Sequence, residues 1–353
     1  MTPGTRLVTV GGALAADVHG KNHHRDGSWG HHVLEIDLLL ADGSLVTVSR
    51  TSDAALFWAT IGGMGLTGVI LGCRFMATPV TSSRLLVDTW RTVDLDETMS
   101  LMEEHDANDR YTVAWVDATG RGARLGRGVV TMADHAPASA VGGPDPLAFS
   151  SRTRVSVPCS APSWLLNRFT IAAFNEAWFR RAPRRRVGEL QSLGSFFHPL
   201  DAVGNWNRLY GRGGMLQYQF LVPAGEEATL RFVVEQLVER GAASFLTVLK
   251  RFGSGNEGHL SFPAPGWTLT LDVPTGIAGL GGLLDDVDRV VVDVGGRVYL
   301  AKDSRLDRRH LHRMYPRIDE WRDVCARVDP RGALQSDLSR RLGLRERGGN
   351  APR

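Results

Sequence analysis

Short apolar runs, separated by turns rich in glycine and proline, recur along the whole chain. In the first quarter these runs predict strands at 8–10, 34–40, 44–49 and 69–76. The first run ends in a glycine turn at Gly11-Gly12, and Asp42-Gly43 joins the second strand to the third. Asp53 precedes a short expected helix, because an aspartate carboxylate caps the first helical turn well.

Beyond Thr78-Pro79 the apolar runs alternate with amphipathic stretches of helical period. The predicted strands are 85–92, 111–116, 129–132, 214–222, 245–252, 267–273 and 298–301. The predicted helices are 94–106, 226–240 and 280–294, and the tail at 307–342 is expected to be helical and amphipathic. Segments 136–146 and 180–186 are expected to be mobile loops. The repeated strand-helix-strand order favours an antiparallel sheet covered on one face by helices, which is an α+β fold.

Length, composition and charge narrow the class of protein. A chain of 353 residues suggests two domains, and 43% hydrophobic with 22% charged residues is ordinary for a globular protein. A net charge of +3 is too small for a dedicated nucleic-acid binder. Three distant cysteines form neither a zinc motif nor a disulfide framework. No run reaches the ~20 apolar residues that a membrane-spanning helix needs.

Histidines cluster near the start of the chain. Five of the 11 lie within fourteen residues, namely His19, His23, His24, His31 and His32. A metal site is one interpretation, but no carboxylate or cysteine stands at a recurring ligand spacing, and adjacent histidines on a strand point to opposite faces. We therefore predict no metal, and we interpret His31 and His32 as polar turn residues.

Two glycine clusters, at 11–12 and 62–68, are suited to a backbone that passes close to a flat or phosphorylated ligand. Gly63-x-Gly65-x-x-Gly68 matches the spacing of the dinucleotide-binding fingerprint. It follows a predicted helix and precedes a predicted strand, whereas that fingerprint follows a strand and opens a helix. The sequence context therefore excludes a Rossmann fold here.

Several segments resemble a known family. VTVGGALAADVHGKNHH at 8–24 and FWATIGGMGLTG at 57–68 resemble the flavin-binding segments of the vanillyl-alcohol-oxidase superfamily. Within it, the chain is similar to the flavoprotein subunits of decaprenylphosphoryl-ribose 2′-epimerases, through FHPLD at 197–201, LQYQF at 216–220 and SFPAPGW at 261–267, and also through WNRLYG at 206–211 and YLAKDSR at 299–305. The resemblance covers nearly the whole chain.

The resemblance implies an enzyme that uses FAD to oxidise the 2′-hydroxyl of a polyprenylphosphoryl ribose to a ketone. An NADH-dependent reductase partner would then complete epimerisation to the arabinose donor for cell-wall arabinan. Superfamily members that bond flavin covalently follow their histidine with Gly-Ser-Gly, whereas Gly20-Lys21-Asn22 follows His19 here. This departure indicates non-covalent FAD and disfavours an oxygen-using aldonolactone or alditol oxidase. The implied location is the cytoplasm or a membrane surface, with the periplasm left open.

Two positions depart from the family pattern. Relatives carry a glycine-rich pyrophosphate loop before the segment that starts at Thr5, so the resemblance implies a partial FAD-binding domain. We expect residues 1–353 alone to bind FAD weakly, since that loop normally supplies the phosphate contacts. A flavin-free binding module is therefore an alternative function. At Thr270, many relatives have a cysteine that faces the flavin.

The resemblance and the residue chemistry together give the candidate site. The catalytic candidates are Lys302 and His19, the cofactor-binding candidates are Thr5, Thr9, Gly11, Gly12, Ala16, His19, Asn22, Gly65, Gly68, Val69, Tyr299 and Lys302, and the substrate-binding candidates are Lys21, Lys250, Gln217, Gln219 and Thr270. A desolvated lysine beside a flavin can take the proton of a substrate hydroxyl. From the residues alone, Lys302 could equally be a solvated surface lysine, and the two glutamines could lie on a polar outer face of the sheet. Lys250 lies in an apolar strand and needs a partner, which could be a phosphate, a substrate oxygen or an internal aspartate.

The resemblance also divides the chain. The FAD-binding domain is expected to comprise 1–82 and 297–353, and the substrate domain 83–296. The arginine run at 180–186, beside Trp178 and Phe179, is either a solvated loop or a contact for anionic lipid head groups.

Overall fold

The computed structural model describes residues 3–150, 153, 155–162 and 164–346. Within these ranges the strands are β1 Val33–Leu39, β2 Leu45–Ser49, β3 Val69–Phe75, β4 Arg84–Thr92, β5 Tyr111–Val116, β6 Gly128–His135, β7 Val155–Ser156, β8 Arg185–Ser192, β9 Val203–Gly204, β10 Met215–Pro223, β11 Thr247–Phe252, β12 Gly266–Pro274 and β13 Arg297–Val298. The α-helices are α1 Val10–Ala15, α2 His23–Asp26, α3 Trp29–His32, α4 Ala54–Thr60, α5 Leu95–His105, α6 Arg168–Arg181, α7 Leu193–Phe197, α8 Glu227–Glu239, α9 Leu280–Asp293, α10 Leu311–Met314, α11 Ile318–Val328 and α12 Asp337–Leu342.

Antiparallel pairing dominates the sheets. The first sheet has the order β2-β1-β3, and the larger sheet has the order β13-β10-β12-β11-β5-β6-β4-β8. The predicted antiparallel sheet is therefore confirmed, and the molecule is a mixed α+β protein.

Helices cover one face of the eight-stranded sheet. Alternate strand residues such as Phe220, Leu249 and Leu271 are fully buried, and they share one apolar core with the inner faces of α5, α8 and α9. The period-2 alternation of β10 and β12 sends the intervening residues to the opposite face. That opposite face is polar around Gln219 and Thr270, and it carries the candidate site.

The small sheet packs with α4 and the C-terminal helix α11. Trp321 of α11 is fully buried, and its indole Nε1 donates to the carbonyl of Ala59 at 3.0 Å. Arg327 forms a bidentate pair with Asp53, the residue that caps α4. The C-terminal helix α11 is thus joined to α4 near the start of the chain.

The predicted strand at Val8 to Val10 is wrong. Thr9 caps α1 instead, because its side-chain oxygen accepts a hydrogen bond from Gly12 N at 3.0 Å. A threonine shortly before a glycine pair is compatible with both a strand and the N-cap of a helix, and here Thr9 is the N-cap.

Other differences lie where the chain lacks a clear period. Helix α6 was not expected, and it takes up Arg180 and Arg181, while Arg185 and Arg186 begin β8. The predicted loop at 180–186 is therefore reduced to a three-residue connection. The predicted strand at 298–301 is only the short β13, followed by a 3-10 turn at Leu300–Lys302.

Candidate active site

Three distant segments meet beside the polar face of the large sheet. The carbonyl of Leu14 accepts from Gly62 N at 3.1 Å, and that of Ala15 accepts from Met64 N at 2.9 Å. The hydroxyl of Tyr299 donates to the carbonyl of Ala16 at 2.9 Å. The N-terminal segment, the glycine segment and the turn before Lys302 are thereby held together.

His19 lies at the centre of this junction. Its ring is buried against Phe252, Phe262 and Tyr299, at centroid distances of 4.8, 5.6 and 5.1 Å. Its Nε2 lies 2.9 Å from the amide nitrogen Nε2 of Gln219. The aromatic walls and this single contact fix the orientation of the ring.

The hydrogen-bond chain assigns the His19 tautomer. Thr268 Oγ1 donates to the carbonyl of Phe220 at 2.8 Å, so it accepts from Gln219 Nε2 at 3.0 Å. Since Gln219 Nε2 is a donor, His19 Nε2 must accept, and the proton of the neutral ring sits on Nδ1. Burial lowers the pKa of His19 well below its ordinary value, and the charges of Lys250 and Lys302 act in the same direction. His19 is therefore neutral at pH 7 and presents an N–H at Nδ1.

The neighbouring His23 is also held neutral. It is fully buried with its ring 4.4 Å from that of Phe252, and burial lowers its pKa to about 3. His23 begins the short helix α2. His31 and His32, interpreted from the sequence as polar turn residues, end the four-residue helix α3, and His31 Nδ1 accepts from Ser28 N at 3.1 Å.

A row of polar side chains crosses the sheet beside His19. The strand register pairs Gln217 with Asp272 and Gln219 with Thr270. Cross-strand partners share a face of the sheet, so all four side chains lie on the polar face. Thr268 of the same face pairs with Lys250 on β11. The two glutamines therefore do share one face, as the sequence predicts.

Lys302 ends the 3-10 turn at the edge of this row. Its backbone is fixed through Tyr299, whose N–H donates to the carbonyl of Gln219 at 2.9 Å. Burial lowers the pKa of Lys302 to about 8, and the negative charge of Asp272 acts in the opposite direction. Asp272 is itself fully buried, and burial raises its pKa to about 6. The pair combines an amine and a carboxylate that both titrate close to neutrality.

Two further lysines complete the group. Burial lowers the pKa of Lys250 to about 7, and the charges of Lys302 and Lys21 contribute. Burial also lowers the pKa of Lys21 to about 7, while its Nζ donates to the carbonyl of Phe196 at 2.5 Å. The Lys21 Nζ lies 3.9 Å from the centre of the Phe196 ring.

Lys21, Lys250 and Lys302 are the only lysines in the sequence. Lysine and arginine together number 41, so all the others are arginines. Arginine stays charged at any ordinary pH, whereas lysine loses its proton when it is buried. The chain thus places lysine only where an amine can titrate near neutrality. This scarcity was a usable sequence signal, and sequence reasoning missed it.

The glycine-rich cofactor candidates border the same junction. Gly11 approaches the side chain of Ile70, and Gly65 has a φ of +72° with open space beside it. Gly68 lies against the carbonyl of Leu39, and Val69 is exposed at the start of β3. Gly12 N is used by the Thr9 cap, and Thr5 Oγ1 donates to Asp201 at 2.8 Å. A cavity of about 210 Å³ is lined by residues that include Thr5 and Thr9.

The polar groups at the junction fit a flavin. His19 Nδ1, Gln219 Oε1 and Asn22 Oδ1 are buried and have no hydrogen-bond partner within the described ranges. They offer one donor and two acceptors, and an isoalloxazine ring presents both carbonyl oxygens and an N–H. The residues present could therefore hold the ring of FAD.

No group of three or more His, Cys, Asp or Glu side chains among the described residues could hold a metal ion. Within the same ranges no helix is long and apolar enough to span a bilayer.

Asp272 and two of the three aromatic walls of His19, Phe252 and Phe262, were not predicted as site residues from the sequence, whereas Tyr299 was. Asp272 lies two residues after Thr270 on β12, so the period of a strand places both on one face. That spacing was a usable signal. Phe252 and Phe262 reach His19 only through tertiary packing, which no local pattern reports.

Comparison with known proteins identifies relatives. The chain is 42% identical to a decaprenylphosphoryl-β-D-ribose oxidase of Mycolicibacterium smegmatis over 347 residues, covering 97% of this chain and 75% of that protein. It is also 42% identical to an uncharacterised protein encoded 5′ of mprA in Streptomyces coelicolor, covering 97% and 95% of the two chains. A shorter match of 72 residues is 38% identical to cytokinin dehydrogenase 7 of Oryza sativa subsp. japonica, covering 20% of this chain and 14% of that protein. No family model matches the chain.

Proposed function

The chain belongs to the decaprenylphosphoryl-β-D-ribose oxidase family, and we propose that it oxidises the 2′-hydroxyl of a polyprenylphosphoryl ribose to a ketone with non-covalently bound FAD. The enzyme is an oxidoreductase. Oxidation of a secondary alcohol removes a hydride from carbon and a proton from oxygen, and bound FAD supplies the hydride acceptor.

The observation that carries this proposal is the partly buried Lys302 amine at the edge of the polar row, where the charge of Asp272 acts on it. A pKa of about 8 leaves part of the Lys302 population neutral at pH 7, and only the neutral amine accepts a proton. Lys302 takes the proton of the 2′-hydroxyl. The carboxylate of Asp272 then stabilises the ammonium that forms.

His19 is a poor candidate for this base. Its Nε2 lone pair already accepts from Gln219, and its Nδ1 carries the proton. A neutral imidazole in this state donates a hydrogen bond and accepts no further proton. We assign His19, with Asn22 and Gln219, to orienting the flavin ring, and Thr9, Gly11, Gly12, Ala16, Gly65, Gly68 and Val69 to the neighbouring cofactor wall.

Lys21 and Lys250 suit the phosphate of the substrate. Both amines have pKa values near 7, so the arrival of a phosphate dianion would favour their protonated forms. Gln217 and Thr270 lie on the same face and can contact the sugar. Under this assignment the substrate phosphate is the partner that Lys250 needs in its apolar strand.

The wider biochemistry is part of the same proposal. An NAD-dependent reductase would reduce the ketone to the arabinose epimer, because a stable 2′-ketone alone completes no epimerisation. Residues 1–82 and 297–353 form the cofactor half, and residues 83–296 form the substrate half. Since the prenyl tail is lipid, the enzyme works at a membrane surface.

Product analysis tests the proposal. The protein, saturated with added FAD, is supplied with a short-chain prenylphosphoryl ribose and an artificial electron acceptor, and the carbonyl product is trapped and identified by mass spectrometry. We expect a 2′-ketone and little hydrogen peroxide in air. Rapid peroxide formation with an aldonolactone or alditol would instead identify an oxygen-using sugar oxidase. Substrate binding without FAD binding or product would identify a flavin-free module.

A further inference from the structure

Helix α6 presents an apolar stripe to solvent. Its residues at spacings of three and four, Ala173, Phe174, Ala177 and Trp178, are exposed along about 8 Å of the helix axis. Phe174 and Trp178 are 48% and 45% exposed, and their rings stack at 6.2 Å. Beside the start of the helix, Trp164 and Phe169 are 72% and 69% exposed.

The opposite side of α6 is fixed to the sheet. Asn175 is fully buried, and its amide nitrogen donates to Asp117 at 2.8 Å and to the carbonyl of Ser244 at 3.1 Å. Glu176 pairs with Arg127 at 2.5 Å. These buried contacts prevent the helix from turning, so the aromatic stripe cannot face inward.

Positive charge is concentrated around the stripe. Residues 164–190 carry six arginines against two glutamates, although the whole chain has a net charge of only +3. Arg168 begins the helix and Arg180 and Arg181 end it, so basic groups flank the aromatic residues at both ends. Phe179 lies apart from the stripe, with its ring under the guanidinium of Arg127 at 4.4 Å.

Aromatic contacts connect the stripe to the buried ring of Tyr210. Phe174 packs edge-on against Phe245 at 5.7 Å, and Phe245 stacks on Tyr210 at 5.5 Å. Tyr210 is itself buried, at 5% exposure. A series of ring contacts thus anchors the α6 stripe to the interior of the substrate half.

We propose that the α6 surface, defined as Trp164, Phe169, Phe174, Trp178 and the flanking arginines Arg168, Arg180 and Arg181, docks on the surface of an anionic lipid bilayer. Tryptophan and phenylalanine insert at the boundary of head groups and acyl chains, and arginines bind the lipid phosphates. Lipid binding by the α6 surface does not rest on the proposed function.

Vesicle sedimentation tests the docking surface without substrate or turnover. The native protein should sediment with vesicles of equimolar phosphatidylcholine and phosphatidylglycerol, and much less with phosphatidylcholine alone. Arg180→Gln with Arg181→Gln should weaken binding ~30-fold, since each basic group at an anionic surface contributes a factor of about five. Phe174→Ser with Trp178→Ser should weaken it at least ~10-fold. The matched controls are Arg309→Gln with Arg340→Gln and Leu45→Ser, all exposed elsewhere, which should change binding less than ~2-fold.

Thermal unfolding of each variant shows whether it keeps the native fold. Equal losses in the α6 variants and the controls would overturn the assignment, as would a native protein that stays in the supernatant. A native protein that ignores vesicles and instead forms dimers lost in the Phe174→Ser, Trp178→Ser variant would make the stripe a contact between copies of the chain. Absence of sugar oxidation, with vesicle binding intact, would count against the proposed function alone.

Discussion

Replacement of Lys302 by methionine removes the proposed base and keeps the length and apolar stem of the side chain. With a pKa of about 8, Lys302 is neutral in roughly one molecule in ten at pH 7, against roughly one in three thousand for an ordinary lysine. We expect Lys302→Met to retain FAD and to reduce the flavin at least ~100-fold more slowly with substrate, which is the lower end for loss of a general base.

The assay is anaerobic single-turnover reduction, followed through the flavin absorbance over a range of pH. In the native enzyme the rate should rise with pH through about 8, because deprotonation of Lys302 creates the base. The variant should lose this rise. Lys302→Arg is the matched control, since it keeps a positive charge but cannot deprotonate, and it should be as slow as Lys302→Met. Near-native reduction by either variant would refute the role of Lys302.

Three further predictions concern neighbouring side chains. Asp272→Asn should lower the pKa of Lys302, because the carboxylate that favours the ammonium form of Lys302 is removed. NMR of the carbon-13-methylated protein measures this pKa directly, since the chain has three lysines. An unchanged pKa would show that Asp272 does not act on Lys302. Gln219→Leu should weaken FAD binding about 5-fold through loss of one hydrogen bond to His19, as titration of flavin fluorescence would show, and unaltered affinity would contradict the assigned contact. Thr270→Cys should make the enzyme sensitive to nitroaromatic inhibitors that bond to a thiol, while the native threonine resists; intact-protein mass spectrometry after turnover decides, and an unmodified cysteine variant would count against this placement.

Much of the fold follows from local pattern. The α5 helix begins where Asp94 can cap it, and its carboxylate does accept from Glu97 N at 2.9 Å. Apolar and polar residues alternate clearly along β10 and β12, so the face of the sheet to which each side chain points follows from this period alone. At Val8 to Gly12 the local pattern fits two structures, and the contacts of α1 with the glycine segment decide between them.

Helix α6 shows why other elements escape prediction. Three of its aromatic residues, Phe169, Phe174 and Trp178, are exposed, and its one fully buried polar residue, Asn175, is paired with Asp117 from a distant strand end. The usual apolar periodicity of a helix is therefore weak here. In the site, Lys302 stands out by residue type and Asp272 by its spacing from Thr270, but only tertiary packing brings the turn that carries Lys302 to the edge of β10.

The most direct test of the central claim compares two substrates that differ only in the reacting group. The FAD-saturated protein is mixed anaerobically with a prenylphosphoryl ribose or with its 2′-deoxy analogue, and bleaching of the flavin absorbance is followed. We predict stoichiometric bleaching by the ribose compound and none by the analogue, because only the former has a 2′-hydroxyl to oxidise. Equal bleaching by both compounds, or none by either with FAD bound, would contradict the proposed oxidation.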